Sequence, residues 1–253
     1  MDLSIIVPAY NEENRIERTI EDYVDYFKNT IKNFEILIIV NGSRDNTYAI
    51  ANELARRYEQ IKTYNFIEKI GKGGAIIQGF KVVSGELIGF VDADNSTSAK
   101  AFHDLVSNID GYDGVIASRW IKGSKILVLP PLSRRICSRC FNILVRLLFG
   151  LGIRDTQCGA KLFSKKAIKE VLPYLGITQW AFDIDLLYQM KRKNYKLIEI
   201  PTEWQEHGGS HLNLKKVIPE MFLSIVRLRL VYSPFKFIVD IFNYIKDIIK
   251  KTK

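Results

Sequence analysis

Two carboxylates, Asp92 and Asp94, stand one residue apart in the stretch FVDADNSTS, at the end of the apolar run Leu87 to Val91. Side chains alternate along a strand, so acids at i and i+2 just past its tip can reach forward together. Hard oxygen donors of that kind suit Mg²⁺ or Mn²⁺, which takes one or two carboxylates and completes its shell with water and substrate phosphate. The competing reading is a helix cap: Asp94, Asn95 or Ser96 could accept from the first amides of a helix beginning near residue 98. A cap accounts for one acid and leaves the other unexplained.

A second stretch, GKGGA at Gly71 to Ala75, opens a helical segment and contains Lys72 and Gly73. Glycines there let backbone amides approach a diphosphate, and the helix N-terminus adds favourable potential. The stretch is neither a P-loop nor the G-x-G-x-x-G fingerprint of dinucleotide folds, and a plain glycine-rich turn reads equally well. Charge is distributed unevenly. Residues 1–118 carry 12 basic and 18 acidic side chains, residues 119–169 carry 12 and 1, and residues 215–253 carry 9 and 3. An acidic half able to hold a cation is thus joined to a basic segment, with Arg119, Arg134 and Arg135, able to meet an anion such as a phosphate or an acidic membrane surface. No aromatic–basic nucleic-acid module is evident. Cys137 and Cys140 form a C-x-x-C with no second pair to complete a zinc site, and three cysteines are too few for a disulfide framework, which fits a reducing setting. His207 and His211 are four apart, but Gly208 and Gly209 between them argue against a helical zinc pair.

The elements that must position these groups follow from periodicity. Short β-branched runs at 3–7, 35–40, 61–67, 87–91 and 114–117 alternate with helical segments near 13–32, 46–59, 73–84 and 98–109. Four β-α steps predict an α/β fold with a mostly parallel sheet covered by helices on both faces. Ligands bind such sheets at the carboxyl ends of the strands. The polar stretches PAYNEE, NGSRDN, EKIGKGG and DADNS all fall at those ends, so four loops on one rim compose a site. Beyond residue 118 the pattern predicts a loop with a Pro pair, a basic apolar helix over about 131–151, a short strand near 161, helices near 164–173 and 181–193, a strand at KLIEIP, and a polar loop.

From about 214 the chain reads as helical, with a break at Ser233-Pro234. From 235 onward a narrow polar stripe (Lys236, Asp240, Asn243, Asp247, Lys250) faces a wide apolar one, the pattern of a helix lying on a membrane surface. The alternative is a C-terminal helix packed on the core or on a second copy. No run of about 18 residues lacks charge, so no transmembrane helix is expected, and the opening MDLSIIVPAYNEE is not a signal-peptide pattern.

The chain resembles family 2 glycosyltransferases of the GT-A (Rossmann-like) fold, and among them the polyprenyl-phosphate sugar synthases, most like dolichyl-phosphate β-glucosyltransferases. The resemblance rests on VPAYNEENRI, NGSRDNT, GKGGA, DADNS, ASRW, GIRDTQCGAKLF, QWAFDIDLLY, EIPTEW and RLRLVY. It implies inverting transfer of a hexose, glucose or N-acetylglucosamine, from a UDP-sugar to dolichyl or polyprenyl phosphate, on the cytoplasmic face of a membrane. Alternatives are a GDP-mannose-dependent mannosyltransferase of the same kind, a soluble family 2 transferase acting on a sugar hydroxyl, and a membrane-binding scaffold without activity.

By resemblance, Pro8, Tyr10, Asn11, Glu12, Asn41, Gly42, Ser43, Lys72, Gly73, Asp92, Ala93 and Asp94 form the nucleotide-sugar side, with Asp92 and Asp94 on Mg²⁺ or Mn²⁺. Arg119 and Arg134, helped by Arg135 and Ser138, would meet the acceptor phosphate. Asp183 would lie near the anomeric centre or orient an arginine, and Glu13 would support its own helix start. Asp155 and Gln157 fall in one branch-specific turn, Trp180, Asp183 and Asp185 in another, and Glu203 and Ser210 in a closing loop. The sequence departs from the family pattern at three places. Val40-Asn41-Gly42-Ser43 replaces the usual Asp-Asp-Gly-Ser, Asp185 replaces a Glu, and His211 stands where a Lys is common. The acceptor phosphate is already largely ionised near neutral pH, its second pKa being about 6, so a general base is dispensable and cationic positioning is what the reaction needs.

Overall fold

A computed structural model describes residues 1–129, 131–176, 181–205, 214–237, 239 and 241, with no side-chain description over 214–218. Trp180, His207, Ser210, His211 and most of the stretch after 237 therefore lie outside the described residues. The core is a seven-stranded sheet made of β1 (Leu3–Ala9), β2 (Phe34–Asn41), β3 (Ile61–Phe66), β4 (Leu87–Phe90), β5 (Gly114–Ser118), β7 (Lys161–Ser164) and β8 (Leu197–Pro201). Its order is β3-β2-β1-β4-β7-β5-β8. All neighbours pair in parallel except β7, which runs antiparallel to both β4 and β5. A minor ladder joins β6 (Lys125–Ile126) to β9 (Glu203–Trp204).

The central strands are apolar on both faces because helices cover both. Ile5 and Val7 of β1, with Ile36 and Ile38 of β2, pack under α1 (Ile16–Lys28), α2 (Thr47–Arg57) and α4 (Ala99–Ser107). Ile6, Leu37 and Ile39 point the other way, toward α3 (Gly71–Val82), α5 (Leu132–Phe149), α6 (Lys165–Val171), α7 (Phe182–Arg192) and α8 (Leu214–Val231). This is the predicted layered α/β architecture, with one difference. A plain succession of β-α steps would set β5 beside β4, whereas β7 returns between them from the far side of α5. Because β7 is antiparallel, it begins at the rim where the parallel strands end.

Two helix boundaries differ from the periodicity. α1 starts at Ile16 rather than near 13, because the residues before it are tied to the loop after β2. α5 stops at Phe149, where Gly150 takes a left-handed conformation at φ 61°, a common helix terminator. α8 sends Ile225 and Leu228 into the core while Phe222 and Leu223 stay exposed. Among the described residues no helix is long and apolar enough to cross a membrane.

Candidate active site

The four rim loops and the chain after β5 enclose a cavity of about 800 Å³. Pro8, Tyr10, Glu12 and Asn41 come from the first two loops, Lys69, Lys72 and Gly73 from the third, and Asp92, Ala93, Asp94 and Ser96 from the fourth. Arg119, Gln157, Gly159, Phe182, Asp183 and Trp204 also line it. Arg134, Cys137, Ser138, Cys140, Phe141 and Leu144 of α5, with Met221 and Phe222 of α8, supply the rest of the wall.

The helix after the Asp-Ala-Asp loop is capped by neither acid. Its N-cap is Ser98, whose side chain accepts from the amide of Ala101. Among the described residues Asp94 accepts only from the amide of Ser96, at 3.0 Å, through one oxygen. The loop itself is fastened to α1: Thr19 Oγ1 donates to the Ala93 carbonyl and Tyr23 Oη to that of Thr97. Asn95 adopts φ 56°, a left-handed turn that asparagine tolerates better than most residues. Asp92 forms an ion pair with Lys72 at the start of α3. Burial opposes charge on Asp92, yet Lys72, Lys161 and Arg119 outweigh it and hold the carboxyl below its usual range. The same carboxylates, Asp92 foremost and then Asp183 and Asp94, overcome burial to raise Lys72.

Gly159 makes this arrangement possible. A Cβ built there falls well inside van der Waals contact with Oδ2 of Asp92. Gly159→Ala is therefore expected to push Asp92 aside and lower turnover roughly 100-fold, the scale seen when a reacting geometry slips by about 1 Å. Thermal unfolding together with turnover checks this, and turnover near wild type would contradict the cradle. Gly73 lines the cavity and also has a packing purpose. Its Cβ would lie 2.5 Å from Cβ of Phe182, so the glycine lets α3 pack on the start of α7.

The residues assigned to the nucleotide side divide into two groups. Pro8, Tyr10, Glu12, Asn41, Lys72, Gly73 and the Asp-Ala-Asp triplet reach the cavity, whereas Asn11, Gly42 and Ser43 brace the loops behind it. The Asn11 amide donates to Ser43 Oγ, and Asn11 Oδ1 accepts from the Arg44 amide. Gly42 takes φ 69° with the Lys69 backbone pressed against it. Glu13 accepts from the amide and side chain of Asn46, so it supports the start of α2 rather than its own helix. Asn41 Nδ2 donates to the Ala9 carbonyl, which leaves its buried Oδ1 without a partner. Lys69 Nζ sits 3.7 Å from the Tyr10 ring centroid at the cavity rim. Burial raises Glu12, with Asp94 and Asp92 adding to it and Arg15 opposing.

On the basic side, Arg119 is gripped by Asp155. Its Nε and Nη2 donate to the two oxygens of Asp155 at 2.8 and 2.9 Å, and its backbone amide donates to Oδ2. Trp120 and Trp204 lie 5.5 and 5.3 Å from the guanidinium. Among the described residues the acid that grips Arg119 is Asp155, while the cation paired with Asp183 is Lys161. Arg134 and Ser138 line the cavity, but Arg135 lies outside that lining with its Nε buried and unpartnered. Asp183 instead accepts from Lys161 at 2.5 Å. Asp185 faces away, accepting from Tyr232 Oη and the Gly176 amide. Glu203 lies in β9, outside the lining. Sequence reading passed over Lys69, Gly159 and Lys161, since an isolated lysine or glycine carries no spacing signal.

The profile of glycosyl transferase family 2 matches residues 4–172. The chain is similar to the dolichyl-phosphate beta-glucosyltransferase of Saccharomyces cerevisiae, with 33% identity over 91% of this chain and 75% of that one. It is 31% identical to the human protein of the same name, over 83% of this chain and 69% of that one. It is 29% identical to glycosyltransferase AglD of Haloferax volcanii over 90% of this chain, and there it spans only 37% of the relative's length. Among solved structures, glucosyl-3-phosphoglycerate synthase from Mycobacterium tuberculosis, in complex with Mn²⁺, UDP and glucosyl-3-phosphoglycerate, superposes with a TM-score of 0.67. It shares 16% identity and the match covers 90% of this chain and 79% of that one. Mannosyl-3-phosphoglycerate synthase from Rubrobacter xylanophilus gives 0.66 at 16% identity, covering 91% and 74%.

Proposed function

The chain belongs to glycosyl transferase family 2, and on that footing we propose that it transfers a hexose, with inversion, from a UDP-sugar to a polyprenyl phosphate of the dolichyl type. The observation that carries this reading is the mixed lining of one cavity. It joins the carboxylates Asp92 and Asp94 to the cations Arg119 and Arg134 and to apolar residues of α5 and α8. A sugar hydroxyl acceptor would have no use for two arginines beside an apolar wall.

The donor set fits a hard divalent cation. Among the described residues no third His, Cys, Asp or Glu joins the two acids. Two carboxylates plus diphosphate oxygens and water are what Mg²⁺ or Mn²⁺ takes, and Gly159 clears the space Asp92 needs. A cation held by Asp92 and Asp94 would supply electrostatic stabilisation to the departing diphosphate. Lys72, already beside Asp92, would add a second positive charge to that diphosphate. Tyr10 with Lys69 offers a flat cationic face for the base, and Asn41 Oδ1 offers an acceptor for a ring N–H.

Toward the acceptor, the Asp155 grip occupies Nε and Nη2 of Arg119 and leaves Nη1 for a phosphate oxygen. Arg134 and Ser138 extend the same wall. With the nucleophile already anionic, the work of these residues is alignment and desolvation. Asp183 and Gln157, whose Nε2 has no partner among the described residues, line the same cavity and suit hydroxyls of the hexose. Leu129, Leu132, Ile136, Ile143 and Leu147, together with Phe222 and Leu223, are exposed near the acceptor end. Basic neighbours Arg134, Arg139 and Arg146 supply the charge, so this face supports contact with an anionic membrane surface at the cytoplasmic side.

One assay tests the reading. Purified protein, divalent metal and labelled UDP-glucose, UDP-N-acetylglucosamine or GDP-mannose are offered polyprenyl phosphate, free polyprenol or sugars, with and without anionic vesicles. Lipid-linked product from polyprenyl phosphate, made by protein that sediments with the vesicles, is the expected result. Transfer to sugars alone would overturn the acceptor, GDP-mannose as sole donor would overturn the base and hexose, and absence from the vesicle pellet would overturn the membrane contact.

A further inference from the structure

Among the described residues Lys161 is the one lysine in the set of fully buried large side chains, with 0% exposure. It opens β7, opposite Phe90 of β4 and Ile116 of β5. Its Nζ donates to Oδ1 of Asp183 at 2.5 Å and to the Cys158 carbonyl at 2.6 Å, and lies 5.3 Å from the Phe90 ring centroid. Taking such a pair out of water is costly, and apolar replacements of similar size often leave stability unchanged or raise it. Core packing therefore gives no reason for a lysine here. The position gives one. Asp183 stands in the first turn of α7 and lines the cavity. Among the described residues only Oδ1 is engaged by a side-chain hydrogen bond, and it comes from Lys161.

We propose that Lys161 is a positioning residue for the donor sugar: it clamps one oxygen of Asp183 from beneath the cavity floor and so presents the other, Oδ2, to a hydroxyl of the hexose. A carboxylate free to rotate about χ2 would divide its time among orientations, whereas one pinned through Oδ1 is preorganised to accept. A buried ammonium suits this purpose because it has no acceptor capacity and cannot compete for the hydroxyl. This assignment rests on the reading of Asp183 as a sugar contact.

The test separates sugar recognition from nucleotide recognition. UDP and UDP-glucose affinities in the presence of Mn²⁺, and kcat and KM for UDP-glucose, are measured for Lys161→Met, Lys161→Arg, Asp183→Asn and the double variant Lys161→Met/Asp183→Asn. Lys161→Met is expected to hold UDP within about twofold and to lose roughly 10- to 100-fold in UDP-glucose kcat/KM, the worth of a charged hydrogen bond. Lys161→Arg, which keeps the charge, should recover part of that loss. The double variant should fall no further than Asp183→Asn, because both changes remove one interaction. It also carries the test should Lys161→Met fail to fold, since it leaves no unpaired carboxylate. Equal losses of UDP and UDP-glucose binding, or a double variant more than tenfold below Asp183→Asn, would overturn the proposal. Asp183→Asn with undiminished transfer would instead remove Asp183 from the sugar site, a failure of the underlying reading that the Lys161 variants alone would not produce.

Discussion

Asp92→Asn should lower metal-dependent sugar transfer by at least about 10³-fold, the scale of losing one principal electrostatic contact to a developing charge. The fold should survive. Asp92 caps no helix, because Ser98 has that task, and the backbone of its loop is held by Thr19 and Tyr23 of α1. The change removes a negative charge from a group that Lys72, Lys161 and Arg119 hold ionised. Lys72 would still have Asp183 and Asp94 as negative neighbours, so the site becomes more cationic and, on the proposed reading, loses one of its two metal ligands. Diphosphate binding without metal should persist or tighten, and metal should no longer improve it. Measuring UDP affinity with and without Mn²⁺, alongside turnover and thermal unfolding, checks all three points. Turnover within tenfold of wild type would remove Asp92 from the metal site.

The parts of this site that were legible in the sequence are those with a local signature. Alternating β-branched runs and helical periods predicted the layered sheet, and the carboxyl-end rule placed all four polar loops on one rim. Asp92 and Asp94 declared themselves because two acids after a buried strand exceed what a cap needs. Illegible were relations between distant segments. Nothing local in GAKLF says that its strand runs backwards between β4 and β5, yet that reversal sets Gly159 and Lys161 beside Asp92. The packing of Gly73 on Phe182 was invisible because that tertiary neighbour is more than a hundred residues away. Asp155 and Asp183 each sit in a recognisable motif, but their cationic partners, Arg119 and Lys161, could be matched only in three dimensions.

The Asp155 turn shows the consequence for stability as well as for chemistry. Asp155 is fully buried. Its own amide and that of Arg154 donate to Glu199 of β8 at 2.8 and 2.7 Å. The next residue, Thr156, donates its amide and hydroxyl to Asn142 of α5. One turn thus joins β8, α5 and the arginine after β5, uniting the sheet with the α5 wall of the cavity. Asp155→Ala leaves the Arg119 guanidinium, whose side chain is only 17% exposed, without its carboxylate. Breaking a buried pair from one side costs about 3–5 kcal/mol, a large share of a domain's usual 5–15 kcal/mol. Asp155→Asn keeps one acceptor oxygen for Nε and should lose less. Arg119→Lys keeps the charge but gives up the two-pronged grip, since an ammonium cannot match a carboxylate as a planar fork does. Denaturant midpoints should therefore fall furthest for Asp155→Ala. In the variants that remain folded, KM for polyprenyl phosphate should rise more than UDP affinity falls, because the turn grips Arg119 directly and reaches Asp92 through the charge of that guanidinium. A matching loss of UDP affinity would mean that the Asp155 turn supports the whole cavity instead of its acceptor end.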